Sequence, residues 1–254
     1  MSRVALVTGA ARGIGLATTR RFIDQGLRVA MVDRDADALI KAAAEIGEGG
    51  IPLVYDISQP DQVDGLKAAM ERDFGACNAL VNNAGVADFG PIAETSFERW
   101  RRVMETNLDG VFLVSQALTS LLAETAKESY ASIVNIASIS GLRASTLRVA
   151  YGTSKAAVIQ LTLQQAAELG EFGIRANCVA PGPVDTKLAL AVHTPEIRAA
   201  YHDAMPLNRY GSEDEIASAI CYLASADASF ITGQLLAADG GFHAVGIGLP
   251  ALRT

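Results

Sequence analysis

The stretch TGAARGIG, residues 8–15, decides the fold, because it joins an apolar run to a helical pattern through closely spaced glycines. Gly9, Gly13 and Gly15 come directly after the run VALV at 4–7. Glycines permit a tight turn and let the backbone approach a diphosphate, and the following helix offers its N-terminal N–H groups and dipole to that anion. The stretch predicts a nucleotide-binding turn, with a purely structural turn as the alternative.

Short β-branched runs alternate with longer helical patterns along the whole chain. The candidate strands are 4–7, 28–32, 51–54, 79–81, 132–137, 175–180 and 234–238, and the candidate helices are 14–25, 36–46, 60–72, 97–125, 151–170 and 213–224. Each step between strands passes through a helix, so the strands should be parallel. The sequence predicts an α/β protein with one domain over residues 1–254, a doubly wound seven-stranded parallel sheet flanked by helices.

The least regular stretch is 181–211, where prolines and a short Ala-rich helix interrupt the alternation. An irregular excursion at the carboxyl end of a strand is a typical place for a mobile lid, and we expect a substrate lid near 186–211. His193 and His202 fall within it. Two histidines without a third ligand are more often surface residues, so no role is assigned to them.

Charge and cysteine content narrow the function classes. The formal net charge is −7 and the Arg and Lys residues are scattered, so the chain lacks the basic stripe that nucleic-acid binding needs. Cys77, Cys178 and Cys221 are far apart, which indicates reduced thiols and no bound metal. No apolar run approaches the roughly 18 residues of a membrane span or forms a signal peptide. We expect a cytoplasmic protein with a small-molecule substrate and with no membrane or nucleic-acid partner.

The second strand ends in VAMVDRD, which places Asp33 eighteen residues after Gly15. A carboxylate there can accept both ribose hydroxyls of an adenosine and would repel a 2′-phosphate, which favours NAD over NADP. Arg12 and Arg34 oppose this preference, because each could meet a 2′-phosphate. Asp33 could instead be a helix cap before 36–46.

The third and fourth strands end in further candidate contacts. YDIS places Asp56 where it could bond an adenine amino group, or where it could cap the helix that begins at Pro60. NNAG, residues 82–85, has small residues at the edge of the sheet and would let a cofactor lie flat across it.

Six strings occur in order, namely TGAARGIG, NNAG, the Asn of ETNLDG, the Ser of NIASISG, YGTSK and PGPVDT. Together they resemble the short-chain dehydrogenase/reductase family, over essentially the whole chain from Val4 to the DGG at 239–241. The resemblance implies a Rossmann-type fold, NAD(P), and hydride transfer at a carbinol or carbonyl carbon. It implies a catalytic group of Asn, Ser, Tyr and Lys, matched here by Asn107, Ser138, Tyr151 and Lys155.

The same resemblance, with the turns above, gives a set of expected cofactor contacts. In PGPVDT, Pro181 and Gly182 would shape the backbone beside the nicotinamide and Thr186 would lie near the diphosphate or the amide, or the segment is simply a strand exit into the lid. The full expected set is Gly9, Arg12, Gly13, Ile14, Gly15, Asp33, Asp56, Ile57, Asn83, Ala84, Gly85, Tyr151, Lys155, Pro181, Gly182, Val184 and Thr186.

Tyr151 and Lys155 are four residues apart on one helix, so the ammonium can favour the phenolate of a group whose unperturbed pKa is about 10. Tyr151 could then act as general acid or base. Ser138 could hold the substrate oxygen, or merely satisfy local backbone. Lys155 would also hold the nicotinamide ribose. Asn107 would bind a water that passes protons between Lys155 and solvent, or would pin a kink in its helix.

The segment between Ser138 and Tyr151 is where we expect the substrate contacts. Ser140 should face the pocket. Arg148 resembles a position where hydroxybutyrate dehydrogenases of this family carry a carboxylate-binding Lys, and we expect it, alone or with Arg143, to bind a carboxylate or sulfonate. A solvated loop arginine is the alternative. The chain departs from the hydroxybutyrate pattern at Ala87 and Ser140, which leaves sugars, sugar acids and polyols open.

The leading interpretation is an NAD-dependent oxidoreductase acting on a secondary alcohol, which could be a polyol, a sugar, a sugar acid or a hydroxy acid. An NADPH-dependent reductase of ketones or β-ketoacyl thioesters is the second. A nucleotide-sensing scaffold without turnover is the third, and the intact set of four catalytic residues argues against it. The resemblance implies a homo-oligomer, a tetramer rather than a dimer, built on the helices at 97–125 and 151–170.

Overall fold

Seven parallel strands form one sheet in the residues that the structure, a computed structural model, describes, which are 3–186 and 193–246. The order across the sheet is β3-β2-β1-β4-β5-β6-β7. The chain builds outward from β1 to one edge and then from β4 to the other, and this switch in strand order opens a crevice at the carboxyl ends of β1 and β4. The predicted fold class is confirmed. The strands are β1 (Val4–Thr8), β2 (Arg28–Asp33), β3 (Gly50–Val54), β4 (Ala79–Asn82), β5 (Ala131–Ile136), β6 (Ile174–Pro181) and β7 (Leu235–Ala238).

Helices cover both faces of the sheet, and none of those in the described part is long and apolar enough to span a membrane. Successive strand residues point to opposite faces, so Ala5 and Val7 join one apolar core while Val4 and Leu6 join the other. The helices are α1 (Gly13–Asp24), α2 (Ala36–Ile46), α3 (Pro60–Asp73), α4 (Phe97–Met104), α5 (Gly110–Glu128), α6 (Ile139–Leu142), α7 (Val149–Leu169), α8 (Pro195–Ala204) and α9 (Glu213–Ala224).

The single helix predicted over 97–125 is interrupted by a π-helical segment, Glu105–Asp109, between α4 and α5. Asn107 lies in this segment, and its side-chain amide accepts from the N–H of Val86 at 2.8 Å and donates to the carbonyl of Val86 at 2.9 Å. These bonds tie the widened turn to the loop after β4. The helical apolar pattern continues through the segment, so periodicity alone could not predict the break.

The chain around the predicted lid also differs from the sequence pattern. Residues 187–192 of the predicted lid lie outside the described part, and α8 begins after Thr194, whose hydroxyl accepts from the N–H of Ile197. Upstream, α6 was not predicted, and α7 begins at Val149, two residues before the predicted start at 151. Four residues are too few to show a helical period, so α6 carries no signal of its own.

Candidate active site

The glycine-rich turn after β1 is clamped by the NNAG stretch after β4. Gly9 has a φ of +66°, and a Cβ placed on Gly15 would lie 2.2 Å from the carbonyl oxygen of Gly9, so α1 packs against the turn without room for a side chain. Asn83 donates from Nδ2 to the carbonyls of Thr8 at 2.9 Å and Gly9 at 3.2 Å. The Thr8 hydroxyl accepts from the N–H groups of Asn83 and Ala84, both at 3.0 Å.

The N-terminus of α1 has no side-chain cap, because its N-cap residue, Arg12, makes no capping hydrogen bond and the first turn contains no acidic residue. Gly13, with a φ of +62°, begins the helix, and Ile14 packs against the core beneath it. Uncapped N–H groups at the end of a twelve-residue helix, beside a turn that begins and ends with glycine, fit a diphosphate. The predicted turn therefore has the geometry that a dinucleotide needs.

A cavity of about 370 Å³ lies next to this turn, at the carboxyl ends of β1, β2 and β4. Asp33 stands at its wall, where Oδ2 accepts from the N–H of Ala11 at 3.3 Å and Oδ1 from that of Asp35 at 3.0 Å. The alternative of Asp33 as the cap of α2 is wrong, because Asp35 is the cap and accepts from Ala38. The lining residues are Gly9, Arg12, Val32, Asp33, Arg34, Asp35, Tyr55, Asp56, Ile57, Asn83, Ala84, Gly85, Val86 and Thr106.

Both arginines at this cavity are paired with carboxylates. Arg12 forms an ion pair with Asp35, and Arg34 Nη1 lies 3.5 Å from Asp56 Oδ2. Partial burial acts to raise the pKa of Asp56, but hydrogen bonds from Ser58 and the charge of Arg34 outweigh it, so the pKa is below the usual value. Asp56 does not cap α3, since the N-cap residue of that helix is Gln59, three residues later.

Tyr151 and Lys155 lie on the first turns of α7, beneath the loop after β4. Lys155 is only 4 % exposed, its Nζ donates to the carbonyl of Ile136 at 2.7 Å, and it lies 5.8 Å from the centre of the Tyr151 ring. Burial lowers the pKa of Lys155 to about 8. A Cβ on Gly85 would lie 3.4 Å from Lys155 Nζ and 3.3 Å from Asn107 Oδ1, so the three residues converge.

The pKa of Tyr151 is raised rather than lowered in this structure, which differs from the expectation that Lys155 would favour the phenolate. Burial of the phenol is the largest cause, while a hydrogen bond with Ser138 and the charge of Arg148 act in the opposite direction. A buried phenolate loses the hydration it would have in water, and this loss exceeds the help it receives from the protein alone.

Ser138 satisfies local backbone, which was the alternative to a substrate-binding role, and its side chain also forms a hydrogen bond with Tyr151. Its hydroxyl accepts from the N–H of Ser140 at 3.1 Å, which makes it the N-cap of α6. Ser140 is buried, and its hydroxyl lies 3.4 Å from that of Ser145. Asn107 lies in an irregular part of its helix, in line with the alternative that it holds a kink there. Its Nδ2 also donates to the Ser154 hydroxyl at 3.0 Å.

The PGPVDT stretch lies at the carboxyl end of β6, apart from the cavity beside Asp33. A Cβ on Gly182 would lie 2.7 Å from the Cα of Asp239, so only glycine lets this strand exit pass the DGG stretch. Pro181 ends β6, and Val184 is buried and paired with Gly211. The N–H of Thr186, the last described residue before 193, donates to Val184 at 2.8 Å.

Arg148 is not a solvated loop arginine, because it faces an aromatic cluster. Its guanidinium carbon is 4.9 Å from the centre of the Phe89 ring, and Nη2 lies 3.4 Å from His193 Nε2. His193 in turn stacks on Tyr201 and is 2.9 Å from the hydroxyl of Tyr210. Burial and the charges of Arg148 and Arg198 lower the pKa of His193.

The sequence did not predict this cluster, because His193, Tyr201 and Tyr210 reach Arg148 only after α8 folds back over the site. No short spacing in the sequence links them. Arg143, the expected second arginine, lies elsewhere and donates to the carbonyls of His243 at 2.6 Å and Val245 at 3.2 Å. Arg143 therefore does not form a pair with Arg148.

Comparison with known proteins agrees with this geometry. A family model described as enoyl-(acyl carrier protein) reductase matches residues 9–243. Galactitol 2-dehydrogenase (L-tagatose-forming) of Cereibacter sphaeroides is 39% identical over 94% of this chain and 94% of its own. Cis-4-hydroxycyclohexanecarboxylate dehydrogenase of Sinomonas cyclohexanicum is 37% identical over 96% of this chain and 97% of its own.

Among solved structures, 3-ketoacyl-(acyl-carrier-protein) reductase from Brucella melitensis complexed with NADH is 32% identical, with a TM-score of 0.89 over 95% of this chain and 98% of that one. The chain belongs to the short-chain dehydrogenase/reductase family, as its motifs indicated. It is an oxidoreductase that acts on CH–OH groups and uses NAD(P).

The burial of Lys155 predicts a measurable effect of pH on stability. Its pKa of about 8 in the folded protein lies below the unfolded value of 10.5, so the unfolded chain binds more protons between these pH values and this contribution to stability rises with pH. Replacing Lys155 by Met removes the contribution. Between pH 7 and 10 we expect the unfolding free energy of the wild type to rise relative to that of the variant by roughly 2 kcal/mol.

Urea denaturation of the cofactor-free proteins at each pH measures this difference. Subtraction removes the groups that both proteins share, such as Cys77, whose pKa burial raises to about 12. Parallel curves for the two proteins would contradict the assignment of a buried, charged Lys155 at neutral pH.

Proposed function

We propose that this protein is an NAD-dependent dehydrogenase whose substrate is a secondary alcohol bearing a carboxylate or sulfonate group. The observation that carries the proposal is the place of Arg148, which is close enough to Tyr151 for its charge to lower the pKa of the phenol. A guanidinium fork suits planar or tetrahedral oxyanions. Similarity to cis-4-hydroxycyclohexanecarboxylate dehydrogenase, whose name includes a carboxylate, supports this proposal.

Tyr151 would exchange the proton of the substrate hydroxyl, with Ser138 holding the same oxygen by a second hydrogen bond. Lys155 would supply positive charge beside the phenol and hold the nicotinamide ribose. When bound, the oxidised nicotinamide accepts hydride from the carbinol carbon, and its positive charge favours the phenolate. The Tyr151 phenol is partly buried, and a substrate hydroxyl bound against it would exchange the proton with it directly.

The rest of the predicted site is proposed with the same roles. The turn at Gly9, Gly13 and Gly15 would hold the diphosphate, with Asn83 fixing the turn. The segment that ends β6 would lie beside the nicotinamide. A proton-relay water at Asn107 would use the main chain of the π segment, because both ends of the side-chain amide already bond protein groups.

The preference for NAD rests on the charges around the cavity of about 370 Å³. Asp33 can accept the adenosine ribose hydroxyls and would repel a 2′-phosphate. Arg12 and Arg34, which favoured NADP in the sequence, are engaged by Asp35 and Asp56. A 2′-phosphate would have to break these ion pairs. The NADPH-dependent reductase of ketones or β-ketoacyl thioesters is therefore the second candidate, and similarity to the Brucella 3-ketoacyl reductase supports its substrate class but not NADPH, since that structure holds NADH.

We also propose a homotetramer, supported by two separate apolar faces. One is a groove of about 660 Å³ lined in part by Phe112 of α5 and Leu161 of α7, and Phe112 is nearly half exposed. The other is the edge strand β7, which exposes Leu235 and Leu236. Two self-complementary faces are what a tetramer with three twofold axes requires.

The sequence also supports proposals on domain organisation, the substrate lid and cellular location. The chain would act as one domain, with residues near 186–211 as the substrate lid. It would work in the cytoplasm, which the three free and buried cysteines support, since a reducing compartment keeps such thiols unpaired. Cell fractionation that recovers the protein outside the cytoplasm would contradict that location.

The anionic substrate is tested by Arg148→Ala. Because the guanidinium binds only the charged group, we expect KM for cis-4-hydroxycyclohexanecarboxylate to rise about tenfold, equivalent to about 1.4 kcal/mol, with KM for cyclohexanol unchanged. Initial rates of NADH absorbance measure both, alongside a panel of sugar acids, sulfonated sugars and polyols. An equal rise for charged and neutral alcohols would refute the anion-binding role.

Tyr151→Phe is the control for turnover in these assays. It should abolish oxidation of every alcohol in the panel while the affinity for NADH, measured by fluorescence, stays within about twofold, because the phenol oxygen exchanges the proton. Persistent turnover would show that Tyr151 is not the proton-transfer residue. A nucleotide-sensing scaffold would show binding of NADH without turnover in the wild type as well.

The cofactor preference is tested by Asp33→Ala. Loss of the ribose hydrogen bonds should lower kcat/KM for NAD at least about tenfold, and loss of the negative charge should improve the relative rate with NADP. Asp37→Ala is the matched control, because it removes the same charge from the exposed first turn of α2 without touching the cavity. If Asp33→Ala keeps the wild-type preference, the assignment of Asp33 is wrong.

The tetramer is tested by placing a charge on each face. Phe112→Arg and Leu236→Arg should each yield dimers, because a buried, unpaired charge disrupts one interface and leaves the other. Ile40→Arg changes an exposed residue on α2 outside both faces and should leave the tetramer intact. Light scattering coupled to gel filtration gives the mass. A wild-type monomer would exclude both interfaces.

A further inference from the structure

The loop of residues 86–90, here called the post-β4 loop, is fixed to α4 by a charged cluster. The side chain of Asp88 is only 7 % exposed and lies between two guanidinium groups. Arg99 bonds both of its carboxylate oxygens, with Nε 3.1 Å from Oδ2, and Arg102 Nη2 is 2.6 Å from Oδ2. The paired contacts of Arg99 define the direction of the carboxylate as well as its distance.

The backbone of the same loop is held at further points. Arg99 Nη2 donates to the carbonyl of Phe89 at 2.9 Å, and a Cβ on Gly90 would lie 3.0 Å from the same nitrogen. At the start of the loop, Asn107 bonds both backbone groups of Val86. The loop is therefore fixed at both ends and has little freedom to shift as a unit.

The opposite side of the post-β4 loop contacts the segment that leads into α7. The N–H of Gly90 donates to the carbonyl of Leu147 at 3.0 Å, and the Phe89 ring lies under the Arg148 guanidinium. Leu147 has a φ of +63° and is 48 % exposed. Leucine disfavours this conformation, and burial does not hold it there, so the hydrogen bond from Gly90 has a clear role in keeping it.

We propose that Arg99 and Asp88 are positioning residues that set the direction of Arg148 through the post-β4 loop, and thereby set the selectivity for the charged group of the substrate. The contacts that orient the Arg148 guanidinium within the described residues are the Phe89 ring and a His193 nitrogen. Phe89 is held by Arg99. The effect on selectivity rests on the proposed anion-binding role of Arg148, whereas the effect on the backbone does not.

The backbone effect is tested by hydrogen exchange of the full-length protein. Arg99→Ala should speed exchange in peptides that cover 86–90 and 145–150 about tenfold or more, because the hydrogen bond from Gly90 opens more often. Arg99→Lys should give a smaller increase, since an ammonium lacks the fork that reaches Asp88 and Phe89 together. Arg20→Ala, which removes an exposed arginine near Glu45, is the matched control. Unchanged exchange in Arg99→Ala would overturn the proposal.

The selectivity effect is tested by a double-mutant cycle with Arg148. With cis-4-hydroxycyclohexanecarboxylate as probe, Arg99→Ala should raise KM about fivefold and change kcat less than twofold. In the Arg148→Ala background it should add less than twofold, because the residue through which it acts is gone. Full additivity of the two changes would overturn the proposal. If Arg148→Ala alone leaves KM unchanged, the anion-binding role fails, and the exchange measurement still decides whether Arg99 positions the loop.

Phe89→Leu provides a second variant in case Arg99→Ala folds poorly. It keeps the ion cluster and an apolar side chain of similar reach but removes the ring beneath Arg148. We expect the same rise in KM for the charged probe, an unchanged KM for cyclohexanol and an unchanged thermal midpoint. A variant with wild-type KM for the charged probe would show that the ring does not orient Arg148, which would overturn the proposed route.

Discussion

The two hydrogen bonds between the Asn107 amide and the backbone of Val86 are the constraint on which the site depends. They fix the loop that follows β4 at the point where it lies between Lys155 and Arg148. Before Val86, Gly85 lies against Lys155; after it, the post-β4 loop reaches Arg148 through Phe89. A side-chain amide carries separate donor and acceptor atoms, so it can bond the N–H and the carbonyl of one residue at the same time, which a carboxylate cannot do. The widened helical turn allows that approach.

Desolvation sets the electrostatics of the catalytic group more strongly than the pairing of charges does. Lys155 is buried and Tyr151 is partly buried, and desolvation shifts each pKa in the direction that favours the neutral form, down for the ammonium and up for the phenol. The charged state of each group is therefore less stable in the folded protein than in water, although a pKa of about 8 leaves Lys155 mostly protonated at neutral pH. Such a site lowers the stability of the fold and gains in return a strong response to any charge brought close to it.

The sequence predicted the parts of the site whose chemistry depends on short spacing. The turn at Gly9, Gly13 and Gly15, Asp33 at the end of β2 and the pair Tyr151 and Lys155 each lie within one element or one turn. The interruption of the helix at Glu105–Asp109 was foreseen only as the alternative of a kink at Asn107, because the Val86 backbone that Asn107 bonds lies 21 residues back in the chain. The direction of the Tyr151 pKa shift in the protein alone was also not visible in a four-residue spacing, because desolvation of the phenol outweighs the nearby charges.

The sequence by itself determined the parallel α/β fold and the glycine-rich turn after β1, because periodicity, glycine spacing and strand ends express local geometry, and its motifs identified the family. Only the tertiary structure decided which arginine side chains are paired with carboxylates or bonded to backbone and which face the candidate site. It paired Arg12 with Asp35 and Arg34 with Asp56, turned Arg143 toward the C-terminal segment and brought His193 to Arg148. Ion pairing and desolvation depend on distances between segments far apart in the chain, and no local pattern encodes those distances.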